Sequence, residues 1–237
     1  MGIILRVDVD KPYGNHPLVR KIASKIVEDF LPNFKIKIGY LSHLKEFILY
    51  CNNNGVVGTF FHRICTNPDI ETINLLKSGG HIIGLHLENS ISELSFFDEI
   101  NILKSLTGTN IDFFSKHGSG VFKLGKFHFP KYEPDLYKKW ASNYKLFFPS
   151  GNGIPEKPSD LKAIDGYFEN VFWLEPNYRN KKFNTLDELI TLSKKEDVVV
   201  LIHPCNYLAD PKTKEAFHEL VELASINSIK WLSFEKN

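Results

Sequence analysis

Two aspartates near the amino terminus, Asp8 and Asp10, have a spacing that suggests chemistry, because they end an apolar segment with the composition of a β-strand. Side chains two residues apart on a strand project to the same face, so both carboxylates point the same way. Two such charges in an apolar interior need a metal ion, a basic partner or a proton to relieve their repulsion. The structural alternative is that Asp10 opens the turn before Pro12, while Asp8 contacts Arg6 or water.

A second apolar segment, residues 81–87, carries an imidazole and a carboxylate near its end. His86 and Glu88 lie two residues apart and therefore share a face, whereas His81 stands at the start of the segment. A single histidine is usually a core or surface residue with ordinary hydrogen bonds. An imidazole and a carboxylate at this spacing, at the end of a buried strand, favour metal binding instead.

Two further apolar segments end in histidine, one at His117 and one at His203. Either residue alone could be a turn residue or a strand end tied to a backbone group. In a parallel α/β domain, however, the carboxyl ends of the strands converge on one mouth where binding sites form. We therefore expect five side chains to gather there: Asp8, Asp10, His86, His117 and His203.

The elements that position these side chains alternate along the chain. Apolar, β-branched or aromatic runs predict strands at residues 3–9, 56–61, 81–87, 111–114, 146–148, 171–174, 198–202 and 229–234. Helical spacing occurs at residues 18–30, 41–48, 70–76, 94–106, 134–144, 185–193 and 211–224. This alternation predicts an α/β fold of mostly parallel strands, barrel-like in architecture. Residues 116–133 and 149–166 lack periodicity, and we expect loops of that length to be functional.

Composition narrows the class of protein. A chain of 237 residues with 43% hydrophobic content suits one domain, which we assign to residues 1–237. The net charge of +1 disfavours a nucleic-acid partner and gives no steering toward anionic lipid. No apolar stretch approaches the roughly 20 residues of a membrane span, and the amino terminus is too polar for a signal peptide. Three cysteines provide no disulfide framework, so we expect a soluble cytoplasmic protein.

The motifs, taken in order, resemble those of the polysaccharide deacetylase family, also called the NodB-homology or carbohydrate esterase 4 (CE4) group. The resemblance extends from residue 6 to residue 204. It rests on the aspartate pair, on GTFF at residues 58–61, on GHIIGLH at 80–86, on KHGSG at 116–120 and on LIH at 201–203. The segments DVDKP, HLEN, KHGSG and YEP are also similar to a divergent branch associated with lipopolysaccharide O-antigen clusters.

The resemblance implies a distorted (β/α) barrel that hydrolyses an N-acyl or O-acyl group on a sugar with a divalent metal. Zinc is the expected metal, with cobalt or manganese as alternatives. By position, Asp8 corresponds to the general base and His203 to the general acid. Asp10 and His86 correspond to metal ligands. Lys116 falls near the family's arginine, which orients the base.

The chain departs from the family pattern at two places. Val9 separates the two aspartates, which are adjacent in the family, and Ser90 replaces the second histidine of the HxxxH pair. Because serine is a poor zinc ligand, another residue must complete the site or the metal is lost. Glu88 and His117 are the predicted substitutes. His62 and His128 are further alternatives.

The predicted activity is metal-dependent removal of an acyl group, acetyl foremost, from an acylated carbohydrate. A sugar or a nucleotide- or lipid-linked precursor of cell-surface polysaccharide is the expected substrate. Backbone N–H groups of residues 118–120 are expected to face the oxyanion. Aromatic residues within 122–132 form either a sugar-stacking wall or ordinary packing. Two other functions remain open: a catalytically silent barrel that binds carbohydrate or a protein, and a metal hydrolase of cyclic-amide or formyl substrates. The sequence leaves the oligomeric state open.

Overall fold

The structure is a computed structural model that describes residues 1–11, 17–30, 40–118, 131–183 and 185–235. Within residues 17–30, the side chains of 24, 25 and 27–30 are outside the description. Several sequence predictions also lie outside the described residues: the turn at Pro12, most of the glycine-rich segment 118–120, the alternative ligand His128 and the aromatic segment up to residue 130.

Parallel strands form a curved sheet in the order β4-β3-β2-β1-β8-β7, with β9 also paired to β1, and β5 pairs separately with β6. The strands are β1 (Gly2–Val9), β2 (Thr59–His62), β3 (Ile82–Leu87), β4 (Phe114–Lys116), β5 (Ser150–Gly153), β6 (Phe168–Asn170), β7 (Phe172–Trp173), β8 (Val198–Ile202) and β9 (Lys230–Leu232). Beyond β4 the curve continues through Phe147, whose backbone exchanges hydrogen bonds with Asp112 and Phe114. The predicted α/β barrel of mostly parallel strands is confirmed.

Strand β1 lies near the centre of the sheet and carries Asp8, with Asp10 directly after its last residue. One edge pairs with β8 over residues 3–7. The other edge pairs with β9 over residues 2–4 and with β2 over residues 6–9. The carboxyl end of β1 therefore lies between those of β2 and β8, in the middle of the mouth.

The described residues contain eight α-helices: α1 (Leu18–Phe30), α2 (Tyr40–Asn53), α3 (Ile70–Ser78), α4 (Glu93–Thr107), α5 (Pro134–Tyr144), α6 (Leu186–Ser193), α7 (Pro204–Ala209) and α8 (Pro211–Ile226). Side-chain caps fix several helix starts, since Asp69, Ser92 and Thr185 each accept a backbone N–H from the first turn. The left-handed backbone of Gly108, at φ 62°, ends α4.

Successive side chains of β1 point to opposite faces of the sheet and enter two different environments. Ile3, Leu5 and Val7 belong to the larger apolar core, in which the sheet packs against the helices. Ile4 belongs to a smaller apolar cluster on the other side of the sheet, together with Phe61 and Leu201 among others. The even-numbered positions of β1 thus face the barrel interior, which is apolar at Ile4 and becomes charged toward the mouth at Arg6, Asp8 and Asp10.

Several regions differ from the sequence prediction, among them β6, which was not predicted, and β4, which was predicted at residues 111–114. Residues 146–148 form a single bridge at Phe147 rather than a strand. Residues 150–153, predicted as loop, form β5, although Ser-Gly-Asn-Gly has the composition of a turn. Pairing with β6 and hydrogen bonds to Arg6 impose the extended form. The short helix α7 was also not predicted, because its six residues are too few for a helical period to show.

Candidate active site

Asp10, His86 and His117 bring one donor atom each to within 4.8 Å of one another at the mouth, and all three are buried. Nε2 of His117 lies 3.3 Å from Oδ1 of Asp10, and Nε2 of His86 lies 3.9 Å from the same oxygen. Two imidazole nitrogens and one carboxylate oxygen are a donor set that divalent transition metals prefer. The residues present therefore fit a metal of this class.

A chain of hydrogen bonds sets the orientation of His86. Oγ of Ser115 lies 2.7 Å from Nδ1 of His86 and donates to Oδ1 of Asp8 at 3.4 Å. With the Ser115 hydroxyl donating to Asp8, Nδ1 of His86 is the donor to Ser115, which leaves the Nε2 lone pair between Oδ2 of Asp8 at 3.6 Å and Oδ1 of Asp10 at 3.9 Å. His117 is held by its backbone N–H, which donates to the carbonyl of Leu87 at 2.8 Å. Such outer contacts fix ligand orientation in metal sites.

Protonation favours the forms that ligate a metal. Burial alone would raise the pKa of Asp10, but the charge and hydrogen bond of His117, with the charge of Arg63 adding to them, hold it well below its usual range. Burial lowers the pKa of His86 well below its usual value, against the opposing charge of Asp10. At neutral pH the site therefore offers a carboxylate and a neutral imidazole, as metal binding requires.

Arg6 grips Asp8 in a bidentate pair. Its Nε donates to Oδ1 at 3.0 Å, and its Nη2 donates to Oδ2 at 2.7 Å. The same guanidinium, fully buried, donates to Oγ of Ser150, to the carbonyl of Gly151 and to Oδ1 of Asn152. Asp8 is therefore held in one orientation beside Asp10, His86 and His117. The Asp8–Arg6 contact, which the sequence analysis gave as an alternative to a metal site, is present together with the cluster.

His203 lies on the other side of Asp10, with its Nε2 3.9 Å from Oδ2. Its Nδ1 donates to Oε1 of Glu175 at 2.7 Å, and its backbone N–H donates to the same oxygen at 2.9 Å. Burial lowers the pKa of His203, but the charge and hydrogen bond of Glu175, with the charges of Asp10 and Asp8, raise it above its usual value. His203 is thus set up to hold a proton on Nε2, facing the cluster.

Two other predicted site residues lie elsewhere. Lys116 is buried, and its ammonium donates to the carbonyls of His117 at 2.9 Å and Glu88 at 3.5 Å. Arg6, not Lys116, makes the bidentate contact with Asp8. Glu88 binds Arg63 through Oε1 at 2.5 Å and is not a member of the trio.

The alternative ligand positions are not members of the trio. Oγ of Ser90 lies 3.3 Å from the hydroxyl of Tyr137. Nδ1 of His62 lies 2.9 Å from the carbonyl of Thr66. Of the substitutes predicted for the family's second histidine, the structure therefore brings His117 to Asp10.

Sequence reasoning did not single out Arg63, Ser115 or Glu175 as site residues. Arg63 follows β2 as the cluster residues follow their strands, and its Nη1 lies 3.6 Å from Oδ1 of Asp10. Glu175 stands two residues after β7. A polar residue at the carboxyl end of a buried strand was the available signal for both.

No protein-family model matches the chain, and no curated protein matches it by sequence. Solved structures do match. The chain is 12% identical to a CE4 family pseudoenzyme from Bacillus anthracis, with a TM-score of 0.50. The match covers 98% of this chain but only 63% of the pseudoenzyme chain. This chain is 15% identical to the catalytic domain of a peptidoglycan N-acetylglucosamine deacetylase from Eubacterium rectale, covering 99% and 88% of the two chains with a TM-score of 0.51.

A polysaccharide deacetylase from Bacillus cereus is similar to the same degree, at 12% identity, 99% and 92% coverage and a TM-score of 0.51. At these identities the likeness shows the fold. The chain therefore has the barrel fold of CE4 deacetylases. No described helix has both the length and the apolar character to cross a membrane.

Proposed function

We propose that this chain is a divalent-metal-dependent hydrolase that removes an acyl group, acetyl foremost, from an acylated carbohydrate. The observation that carries the proposal is the trio Asp10, His86 and His117, with Asp8 held by Arg6 on one side and His203 on the other. The fold adds support, because neighbours with the same barrel are deacetylases of N-acetylglucosamine in peptidoglycan and of polysaccharide.

Asp10, His86 and His117 would hold the metal. Zinc suits two imidazoles and a carboxylate, and cobalt or manganese are the alternatives. When bound, such a metal supplies Lewis acidity that polarises an acyl carbonyl and makes water more acidic. Glu88 and Lys116 would contribute through their neighbours, Glu88 by neutralising Arg63 and Lys116 by holding the carbonyl of His117.

Asp8 and His203 would move the protons. Asp8 would accept a proton from the attacking water while Arg6 keeps its carboxylate in place. Nε2 of His203 would donate a proton to the departing nitrogen or oxygen as the bond from the acyl carbon to the sugar breaks. Each such transfer contributes about 10²–10⁴-fold to a rate.

The proposed substrate is an acylated sugar or sugar-linked precursor of cell-surface polysaccharide. Gly118, Asn152 and Trp173, which adjoin His117, Arg6 and His203, line a cavity of about 1910 Å³ that lies beside the cluster, whose own residues are not part of the cavity lining. Trp173 also contacts His203, with the ring centroids 5.6 Å apart. Tyr132 and Tyr167 line the same cavity and bring their hydroxyls within 3.2 Å of each other. Aromatic faces with polar tips suit a sugar.

Metal content and acyl release together test the proposal. Protein supplemented with zinc, cobalt or manganese should contain about one divalent ion per chain and release acetate from an N-acetylated or O-acetylated oligosaccharide. Asp10→Ala and His86→Ala should remove both properties. His81→Gln is the matched control, because that histidine is at the other end of β3. Hydrolysis by metal-free protein, or by either alanine variant, would contradict the mechanism.

A silent barrel that binds carbohydrate is the second candidate. Ser90 favours this candidate, because it replaces the family's second histidine and its hydroxyl contacts Tyr137. A pseudoenzyme among the structural neighbours also favours it. Protein that stays metal-free after supplementation would support this candidate. Release of formate, or opening of a cyclic amide, with the metal present would assign the other hydrolase class.

A further inference from the structure

The side-chain amide of Asn152, on β5, makes two hydrogen bonds to different parts of the candidate site. Its Oδ1 accepts from Nη2 of Arg6 at 2.8 Å, and its Nδ2 donates to the backbone carbonyl of Lys116 at 3.1 Å. A guanidinium can only donate and a carbonyl can only accept, so both partners require the same orientation of the amide. An asparagine satisfies both neighbours at once, whereas an aspartate or an aliphatic side chain would not.

The carbonyl that Asn152 holds belongs to the peptide group directly before His117. The N–H of that same peptide group donates to the carbonyl of Leu87, on β3, at 2.8 Å. The peptide group is thus held from two sides, by β3 through its N–H and by β5 through its carbonyl. The carbonyl of His117 itself accepts from Nζ of Lys116 at 2.9 Å. Contacts on both sides of His117 restrict the direction of its imidazole, as outer contacts do for metal ligands.

Asn152 also spans a boundary between two sheets at the mouth. Strand β4 is the last strand in the order of the larger sheet, and β5 is paired with β6 in a separate sheet. The hydrogen bond from Nδ2 of Asn152 to Lys116 connects the end of β4 to β5. A proposed metal ligand, His117, therefore stands directly beside the boundary that this side chain crosses.

We propose that Asn152 is a positioning residue that keeps the metal ligand His117 and the arginine of the base in a fixed arrangement. The guanidinium that Asn152 holds grips Asp8 through both carboxylate oxygens. One amide thus links the base side of the site to the metal side. The roles of Asp8 and His117 rest on the proposed function. Loss of the amide should weaken both metal binding and hydrolysis, whereas Arg6→Lys should weaken hydrolysis alone.

Asn152→Ala, Asn152→Asp and the matched control Asn170→Ala test this role. Asn170 lies on β6, and its Nδ2 also donates to a backbone carbonyl, that of Asp160, at 3.1 Å. Asn152→Asp keeps an acceptor for Arg6 but has no donor for Lys116. Zinc affinity, measured by isothermal titration, should fall about tenfold or more in both Asn152 variants and stay unchanged in Asn170→Ala. At saturating zinc, Asn152→Asp should retain a higher kcat than Asn152→Ala.

The ring signals of His117 in metal-free protein separate positioning from a general loss of structure. These ¹H–¹³C signals, assigned with His117→Gln, should shift in both Asn152 variants, while those of His218 on α8 should not. Circular dichroism of each variant verifies folding. Unmoved His117 signals with wild-type zinc affinity would overturn the proposal. The same changes in Asn170→Ala, or equal kcat in the two Asn152 variants, would also overturn it.

Failure of this inference is distinguishable from failure of the proposed function. The His117 signals require neither metal nor hydrolysis, and zinc affinity requires no hydrolysis. The expected changes in a protein that releases no acyl group would refute the proposed function and support the role of Asn152. Normal hydrolysis by both Asn152 variants, with unmoved His117 signals, would do the reverse.

Discussion

Oε1 of Glu175 accepts two hydrogen bonds from His203, one from the backbone N–H and one from Nδ1 of the ring. Both residues are buried. The paired contacts fix the rotation of the imidazole and assign its proton-bearing Nε2 to the side of Asp10. Glu175 is thus a positioning residue that also raises the pKa of His203 and so favours its protonated form.

Glu175→Gln should lower the pKa of His203, because the raised value depends chiefly on the charge and hydrogen bond of Glu175 against the effect of burial. If His203 must be protonated to act as the acid, the alkaline limb of kcat/KM lies at its pKa. That limb should move to lower pH in the variant, with kcat reduced about tenfold or more. A pH–rate profile measures the shift. An unchanged alkaline limb would remove Glu175 from this role.

His117 should be needed for metal binding, whereas Ser90 should not. His117→Ala removes one of three donors, so metal affinity should fall by at least about a hundredfold, as for loss of an important metal-site contact. Ser90→Ala is the matched control, because the Ser90 hydroxyl contacts Tyr137 and not the trio. Isothermal titration with zinc distinguishes the two. Equal affinity of both variants would show that the third donor lies elsewhere.

The sequence was sufficient where local periodicity determines structure. The uniform run of valine, leucine and isoleucine at residues 198–202 predicts β8 with its observed bounds. The two-residue period of β1 predicts that Asp8 and Asp10 share a face, and the inward side chain of Ile4 fits the same alternation. Parallel strands then bring the other strand ends to the same mouth, since their direction fixes which ends meet.

The sequence was insufficient where contacts between distant segments determine which side chain reaches the site. Glu88 and His117 were equal alternatives for the missing ligand, and only the approach of Arg63 shows why Glu88 is occupied elsewhere. By its position in the sequence, Lys116 corresponded to the family's arginine, which orients the base. The side chain that meets Asp8 is Arg6, two residues earlier on the same strand. Ranking such alternatives requires distances that periodicity does not contain.

Arg63 and Glu88 should be strongly coupled in stability. Arg63→Met would leave a buried carboxylate without its partner, which should lower the free energy of unfolding by about 3–5 kcal/mol. Arg63→Met/Glu88→Gln removes both charges and should recover much of that loss. Urea denaturation of wild type, both single variants and the double variant gives the coupling energy. Additive losses would mean that the pair contributes no specific interaction.

Arg6 and Lys116 should differ in their effects on the reaction. Arg6→Lys keeps the charge but loses the fork that holds both oxygens of Asp8, so kcat should fall about a hundredfold while metal content is retained. Lys116→Met should act mainly on thermal stability and metal affinity, because Lys116 holds the carbonyl of His117. Kinetics at saturating metal separate the two effects. A larger loss of kcat in Lys116→Met than in Arg6→Lys would show that Lys116, not Arg6, positions the base.

His81 should make stability depend on pH in the acid range. Its Nδ1 accepts the N–H of Gly58 at 3.2 Å and its Nε2 donates to Oδ1 of Asn52 at 2.8 Å, so the folded protein holds a neutral ring. Burial lowers its pKa from 6.5 to about 4. Between these values the unfolded chain binds more protons than the folded one, so stability falls as pH decreases through this window. The loss is about 1.4 kcal/mol per pH unit and reaches about 3 kcal/mol near pH 4.

Glu99 opposes this dependence, because burial raises its pKa from 4.5 to about 7 and the folded state then binds the extra proton. The contribution of His81 is therefore measured as a difference between wild type and His81→Gln. The glutamine amide can accept from Gly58 and donate to Asn52 without titrating. Urea unfolding at pH 7 and at pH 4.5 should show a stability loss on acidification that is smaller in His81→Gln than in wild type. Equal losses in the two proteins would mean that His81 is already charged when folded, against its observed hydrogen bonds.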